Sequence, residues 1–246
     1  LMNSDKIWYF GHPEARNFGS SKVSLDKGIK GSLEKGLYST DGFASIDDSK
    51  NLVFLEDGFL VKPTAKRIDT YLFIYRRDFG LCLRDYFTLT GYPPLIPRYT
   101  LGIWWNKDII YSFNDTKKLI KTFNSNEIPI SVLLLNEFWH IKDVRDLTKF
   151  KTGFTFSKSL FPDPFAFTNY MHERGVRVGI NIDPVEGIGD HEDQFRAIAT
   201  ELSIASSRRI PFNIFDKTFV NLYFKYLIKP LDGFGIDFYW LDYNHD

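Results

Sequence analysis

The rhythm of hydrophobic and polar positions changes part-way along this chain. Up to about Tyr75 the apolar residues fall in short runs: Lys6–Phe10, Phe43–Ile46, Leu52–Leu55, Phe59–Val61 and Thr70–Tyr75. Asp41-Gly42, Asp47-Asp48-Ser49 and Asp57-Gly58 separate them. Short β-like runs punctuated by turn formers predict part of an all-β sandwich. Asp78–Thr90 then carries Phe79, Leu83, Tyr86, Phe87 and Leu89 with the spacing of a short amphipathic helix. Gly91 ends that helix, and Pro93, Pro94 and Pro97 stiffen the link after it.

Beyond Pro97 strand and helix patterns alternate. Tyr99–Trp105 is strand-like, and Asn114-Asp115 can cap a helix running to about Asn124. Ile130–Leu135 is apolar throughout, as expected of a strand buried on both faces. Pro164–Glu173 reads as a helix closed by Gly175, and Val176–Ile182 as a strand. His191–Leu202 and Asp216–Leu231 read as helices, and Ile236–Leu241, after Gly235, as a fourth strand. Four such units in order predict an α/β fold with a parallel sheet and right-handed crossovers. An open doubly wound sheet fits the same order. No Gly-rich phosphate loop follows the first strand, which argues against a nucleotide-binding version.

Composition narrows the function. Hydrophobic residues make up 43% and charged residues 25%, ordinary values for a globular core. The 31 basic and 31 acidic residues cancel, which argues against nucleic-acid or membrane partners. No apolar run is long enough to span a bilayer, and Leu1-Met2-Asn3-Ser4-Asp5 is no signal peptide. That opening, and a stop at Asn244-His245-Asp246 just after an apolar strand, read as those of a fragment. The single cysteine, Cys82, sits in the apolar phase of its helix and is expected in the core. His191-Glu192-Asp193 lacks the second histidine of a zinc-protease helix, and no Cys/His zinc spacing occurs. Aromatics reach 17%, which suits a large core and also suits sugar binding, since the apolar face of a pyranose can lie on a ring.

Functional groups of parallel α/β folds gather at the carboxyl ends of the strands. Reading just past each strand gives Asn106 and Lys107, then Asn136 with Trp139 and His140, then Asp183, then Asp242. A single Asp or Asn after a strand more often caps the next turn. Four in series, with indoles between them, point to a carbohydrate pocket. Asp242 is the strongest candidate: a carboxylate at a strand end can attack an anomeric carbon while a second acid, ~5–5.5 Å away, protonates the leaving oxygen. No residue declares itself as that second acid.

Several stretches resemble glycoside hydrolase family 31, and are similar to a branch that includes α-N-acetylgalactosaminidases. Gly36–Phe43 and Ile46–Ser49 resemble "GLLSRDGW…DDS" of the N-terminal sandwich; Leu89-Thr90-Gly91, Pro94–Tyr99 and Leu101–Trp105 resemble "LTG…PLLPRYALGNWW". Ile128–Val132 is similar to "IPLSV", Phe161–Pro164 to "FPDP", His172–Gly175 to "HERG" and His191–Asp193 to "HED". Gly235–Asp242 resembles "GVDFWWIDW".

The resemblance implies the C-terminal part of a β-sandwich domain plus linking helix over residues 1–90, and the first half of a (β/α)8 barrel over 91–246. It implies a retaining α-glycosidase acting on an oligosaccharide or glycoconjugate without metal or organic cofactor. Asp242 would be the nucleophile, with the general acid/base downstream of this chain. Trp105, Asn136, Trp139, His140 and Asp183 are the expected substrate-binding residues. The family's "DMDWH" appears here as Asn136-Glu137-Phe138-Trp139-His140, so two expected aspartates are replaced. Asn136 can still hydrogen-bond a hydroxyl but brings no charge to an oxocarbenium-like transition state. Asn213 stands where the branch tends to have Asp, and "DWQQ" appears as Asp242-Tyr243-Asn244-His245. A relative that binds sugar with weakened or lost turnover is the alternative.

Overall fold

A computed structural model describes residues 9–11, 16–19, 35–63, 66–142, 153–204 and 207–241. The chain divides into two compact units, one up to Leu95 and one from Ile96 on.

In the first unit β1 (Phe43–Asp47) is followed by β2 (Val53–Phe54), β3 (Leu60–Val61), β4 (Thr70–Ile74) and helix α1 (Phe79–Thr90). β1 pairs antiparallel with β4 from Phe43↔Ile74 to Asp47↔Thr70, and β2 pairs antiparallel with β3. Asp78 caps α1, its side chain accepting from the Leu81 amide at 2.8 Å. Ala44, Phe73, Tyr75 and Cys82 form the core. Burial pushes the Cys82 thiol up to about 11, so it sits there as a small apolar group. Of the expected first run, Lys6–Trp8 lie outside the described residues, and Phe10 is in a turn.

The second unit runs β5 (Ile103–Asn106), α2 (Phe113–Ser125), β6 (Ile130–Leu135), α3 (Pro164–His172) and β7 (Arg177–Ile182). It continues with β8 (Ile188–Gly189), α4 (Phe195–Glu201), β9 (Arg209–Ile210), α5 (Lys217–Tyr223), α6 (Lys229–Gly233) and β10 (Phe238–Leu241). β10, β7, β6 and β5 form one sheet in that spatial order, and each neighbouring pair is parallel.

Several local expectations are corrected. Arg98–Leu101 is a 3-10 turn, so β5 starts only at Ile103. The cap of α2 is Ser112, not Asn114-Asp115: its hydroxyl accepts from the Asp115 amide, and the Asp115 carboxylate accepts from the Ser112 amide, a reciprocal capping box. The helix expected at His191 begins at Phe195. Asp216 caps α5, but a π-turn at Phe224–Ile228 interrupts the helix before Pro230, whose missing N–H cannot extend the regular ladder. The antiparallel pair β8–β9 was not expected at all.

Strand alternation gives this sheet two faces. Leu133 and Leu135 of β6 and Val178, Ile180 and Ile182 of β7 share one cluster with Ile120, Phe167, Met171 and Ile198 of the helices. Val132 and Leu134, also buried, alternate to the other face. There Phe238 stands in register with Gly179, and its ring centroid lies 5.1 Å from that of Trp104. β10 and β5 are the opposite edges of the sheet, so this contact requires a strongly curled, barrel-like surface. Asp237 fixes β10 at its start. Its carboxylate accepts from the Val178 amide at 2.8 Å and from Arg177 at 3.0 Å, and His172 Nε2 lies 2.7 Å away.

Candidate functional site

All four strands of the sheet run the same way, so their carboxyl ends, Asn106, Leu135, Ile182 and Leu241, lie along one edge. The register tells which of them meet. On the inner face Asn106 stands opposite Leu134, Leu134 opposite Gly179, and Gly179 opposite Phe238. Two residues further along each chain come Asp108, Asn136, Asn181 and Trp240, the next layer of the same face.

The side chains confirm that layer. Asn181 Nδ2 donates to Asn136 Oδ1 at 3.0 Å, and Asn136 Nδ2 donates to Asp108 Oδ1 at 3.3 Å. Asn181 is 8% exposed, Asn136 half-buried and Asp108 open to solvent, so the row runs from core to surface. Trp240 stands in register with Asn181, on the sheet's inner side, and is 46% exposed.

Trp139 and His140 lie behind this row. Trp139 is 1% exposed, its indole N–H donating to the Asn181 carbonyl at 2.9 Å and its ring packed on Phe156. The His140 ring donates from Nδ1 to the Ile141 carbonyl at 2.7 Å. It fits against Gly153, where a side-chain carbon would come within 2.3 Å of its Cδ2. Burial, which outweighs the Ile141 hydrogen bond, pushes the His140 pKa down to about 4, so the ring is neutral at neutral pH. Both residues, expected as pocket walls, support the segment that follows Asn136. Phe138, where an aspartate was expected, lies under the Lys142 ammonium, 4.2 Å from its ring centroid.

Trp105 stands apart. It is on the helix-facing side, with its N–H bonded to the Tyr111 hydroxyl at 2.9 Å and its ring edge-on to Phe123 of α2. In the paired indoles Trp104-Trp105 the sequence does not tell which faces inward; the structure turns Trp104 inward. Asp183 is buried just past β7. Burial first, and then the Asp183 charge, raise the Tyr223 pKa, so that phenol stays protonated. Asp242, the expected nucleophile, lies outside the described residues and follows Leu241 directly in sequence. Among the described residues no group of three or more His, Cys, Asp or Glu side chains could hold a metal ion, and no helix is long and apolar enough to cross a membrane.

Sequence reasoning passed over Asp108, Asn181 and Trp240. Asn181 is hidden in the apolar run Val176–Ile182, and Asp108 in a polar stretch with no strand signal. The usable signal was the phase of the alternation, counted back from the strand ends.

Comparison with known proteins agrees with this architecture. An α-xylosidase of Saccharolobus solfataricus is 28% identical over 201 residues, covering 82% of this chain and 25% of that protein. An isomaltosyltransferase of Sporosarcina globispora is 26% identical over 129 residues, covering 47% of the chain and 12% of that protein. Among solved structures, a GH31 α-xylosidase from a soil metagenome, complexed with xylose, superposes with a TM-score of 0.59 at 16% identity, over 83% of this chain and 31% of that one. The chain thus spans a quarter or less of these two curated relatives. The model of the glycosyl hydrolases family 31 TIM-barrel domain matches residues 93–246. The chain belongs to glycosyl hydrolase family 31.

Proposed function

We propose that this chain supplies the nucleophile side of a retaining α-glycosidase that acts on terminal α-linked sugars. The observation that carries the reading is the polar row Asp108–Asn136–Asn181 at the carboxyl edge of a parallel, curled sheet, beside the exposed indole of Trp240. Hydroxyl-binding groups next to an apolar ring suit a pyranose. Asp242 follows β10 by one residue, and the family match extends over it. In this reading one Asp242 oxygen attacks the anomeric carbon as the glycosidic C–O bond breaks, and an acid from elsewhere in the protein protonates the leaving oxygen. Water then attacks the glycosyl ester with the same group acting as base, restoring Asp242 and the α-configuration. Asn136 and Asn181 orient the sugar, while Trp139 and His140 hold the Asn136 segment in place.

The relatives named above, an α-xylosidase and an isomaltosyltransferase, support α-linked sugars as the substrate class. The test is to incubate the full-length protein with a 5-fluoro α-glycosyl fluoride and locate the trapped sugar by peptide mass spectrometry. A label on the peptide containing Asp242, with α-anomer released first from an aryl α-glycoside in NMR, supports the reading. A β-anomer as first product contradicts it.

A further inference from the structure

We propose that Asp108 is the sugar-binding carboxylate of this subsite and sets its specificity by accepting a ring hydroxyl, a role that position 136 as asparagine cannot fill with charge. The inference rests on the glycosidase reading above.

The amide of Asn136 has a fixed sense. Buried Asn181 donates to its Oδ1 at 3.0 Å, so its Nδ2 points outward to the Asp108 carboxylate at 3.3 Å. Flipping the amide would set N–H against N–H at one end and oxygen against oxygen at the other. Asp108 is therefore held as an acceptor at the solvent end of the row. One of its roughly four lone-pair directions is used by Asn136, leaving acceptor capacity facing outward. Among the described residues no Lys, Arg or His forms an ion pair with it.

Position 136 explains the arrangement from the other side. An aspartate there would set two carboxylates about as close as Asn136 and Asp108 now stand, and like charges at that distance do not both ionise readily. The row accepts one charge, at 108 or at 136. The amide at 136 is thus the complement of Asp108, and the subsite's anion is carried by the loop after β5 instead of the end of β6. A carboxylate placed there forms charge-assisted hydrogen bonds to a hydroxyl donor.

The experiment is a charge transplant in the full-length protein, comparing wild type, Asp108→Asn, Asn136→Asp and the double variant. The probes are 4-nitrophenyl α-D-xylopyranoside and α-D-glucopyranoside for turnover, and D-xylose and D-glucose for binding by NMR. Asp108→Asn should lower kcat/KM about ten- to hundredfold through the lost charged hydrogen bond. Asn136→Asp should also lose activity, and regain part of it as pH falls and the carboxylate pair takes up a proton. The double variant should return to within about tenfold of wild type, because one charge and one amide are restored in exchanged places. Asp108→Asn within about twofold of wild type, or a double variant no better than Asp108→Asn, overturns the proposal. Both exchanges keep side-chain size, and Asp108 is exposed, so folding is not at stake. If the wild type turns over no α-glycoside, the glycosidase reading fails while sugar binding still reads this one. Reciprocal loss and recovery of binding across the four proteins sustains it, and equal or absent binding overturns it.

Discussion

The ring of Phe238 lies directly over Gly179, so close that a side-chain carbon at position 179 would stand 2.3 Å from its Cζ. The two residues face each other in the β10–β7 register, and the same ring meets Trp104 from β5. Gly179 is the gap into which Phe238 fits, and that fit lets the two edges of the sheet curl toward each other. Alanine usually suits a strand better than glycine. Here Gly179→Ala should instead destabilise by roughly 1–3 kcal/mol, the usual cost of overpacking. In a Phe238→Ala background the same substitution should cost less, and denaturant unfolding of the four proteins measures the coupling.

The buried imidazole of His140 makes stability pH-dependent. Its folded pKa, about 4, lies below the ordinary histidine value, so the unfolded chain binds its proton first. Its contribution is complete above about pH 6.5 and is lost as pH falls from there toward 4, on the order of 3 kcal/mol at most. His140→Gln, which can still donate to the Ile141 carbonyl, should flatten this part of the profile. Urea midpoints at pH 7 and pH 5 for both proteins show it, and parallel curves would contradict it.

Ser112 and Asp115 close the start of α2 by a reciprocal pair of hydrogen bonds. Ser112→Ala should cost about 1 kcal/mol of stability. The Ser112 hydroxyl and amide hold the Asp115 carboxyl below its usual range, so its NMR titration should move up in the variant.

How legible the fold was depended on how much each residue's local pattern decided alone. Ile130–Leu135 reads as a strand and is one, because an unbroken apolar run can be satisfied only by burial on both faces. Asp163 followed by Pro164 starts α3 for equally local reasons, a cap and a preset φ. The start of β5 misled, since Pro97 introduces a 3-10 turn whose Leu101 stays 76% exposed. The two-residue strands β8 and β9 have no period to detect. The site was legible only as a place. Asn136 and Asp183 stand past their strands, as counting along the sequence implied, but the partner of Asn136 is an asparagine inside an apolar run. Trp105, Trp139 and His140 were expected to line a pocket by residue type, yet packing turns the first toward α2 and buries the other two.

The central claim is that Asp242 is the nucleophile, and Asp242→Asn in the full-length protein tests it most directly. The exchange keeps the size of the side chain and removes the attacking charge. Turnover of an aryl α-glycoside should fall by several orders of magnitude. Sugar binding should change little, and added azide should restore part of the rate by attacking in its place. If Asp242 only caps the turn after β10, asparagine serves as well and the exchange is nearly silent. A variant that keeps more than about a tenth of wild-type turnover, a barrier change of ~1.4 kcal/mol or less, contradicts the account.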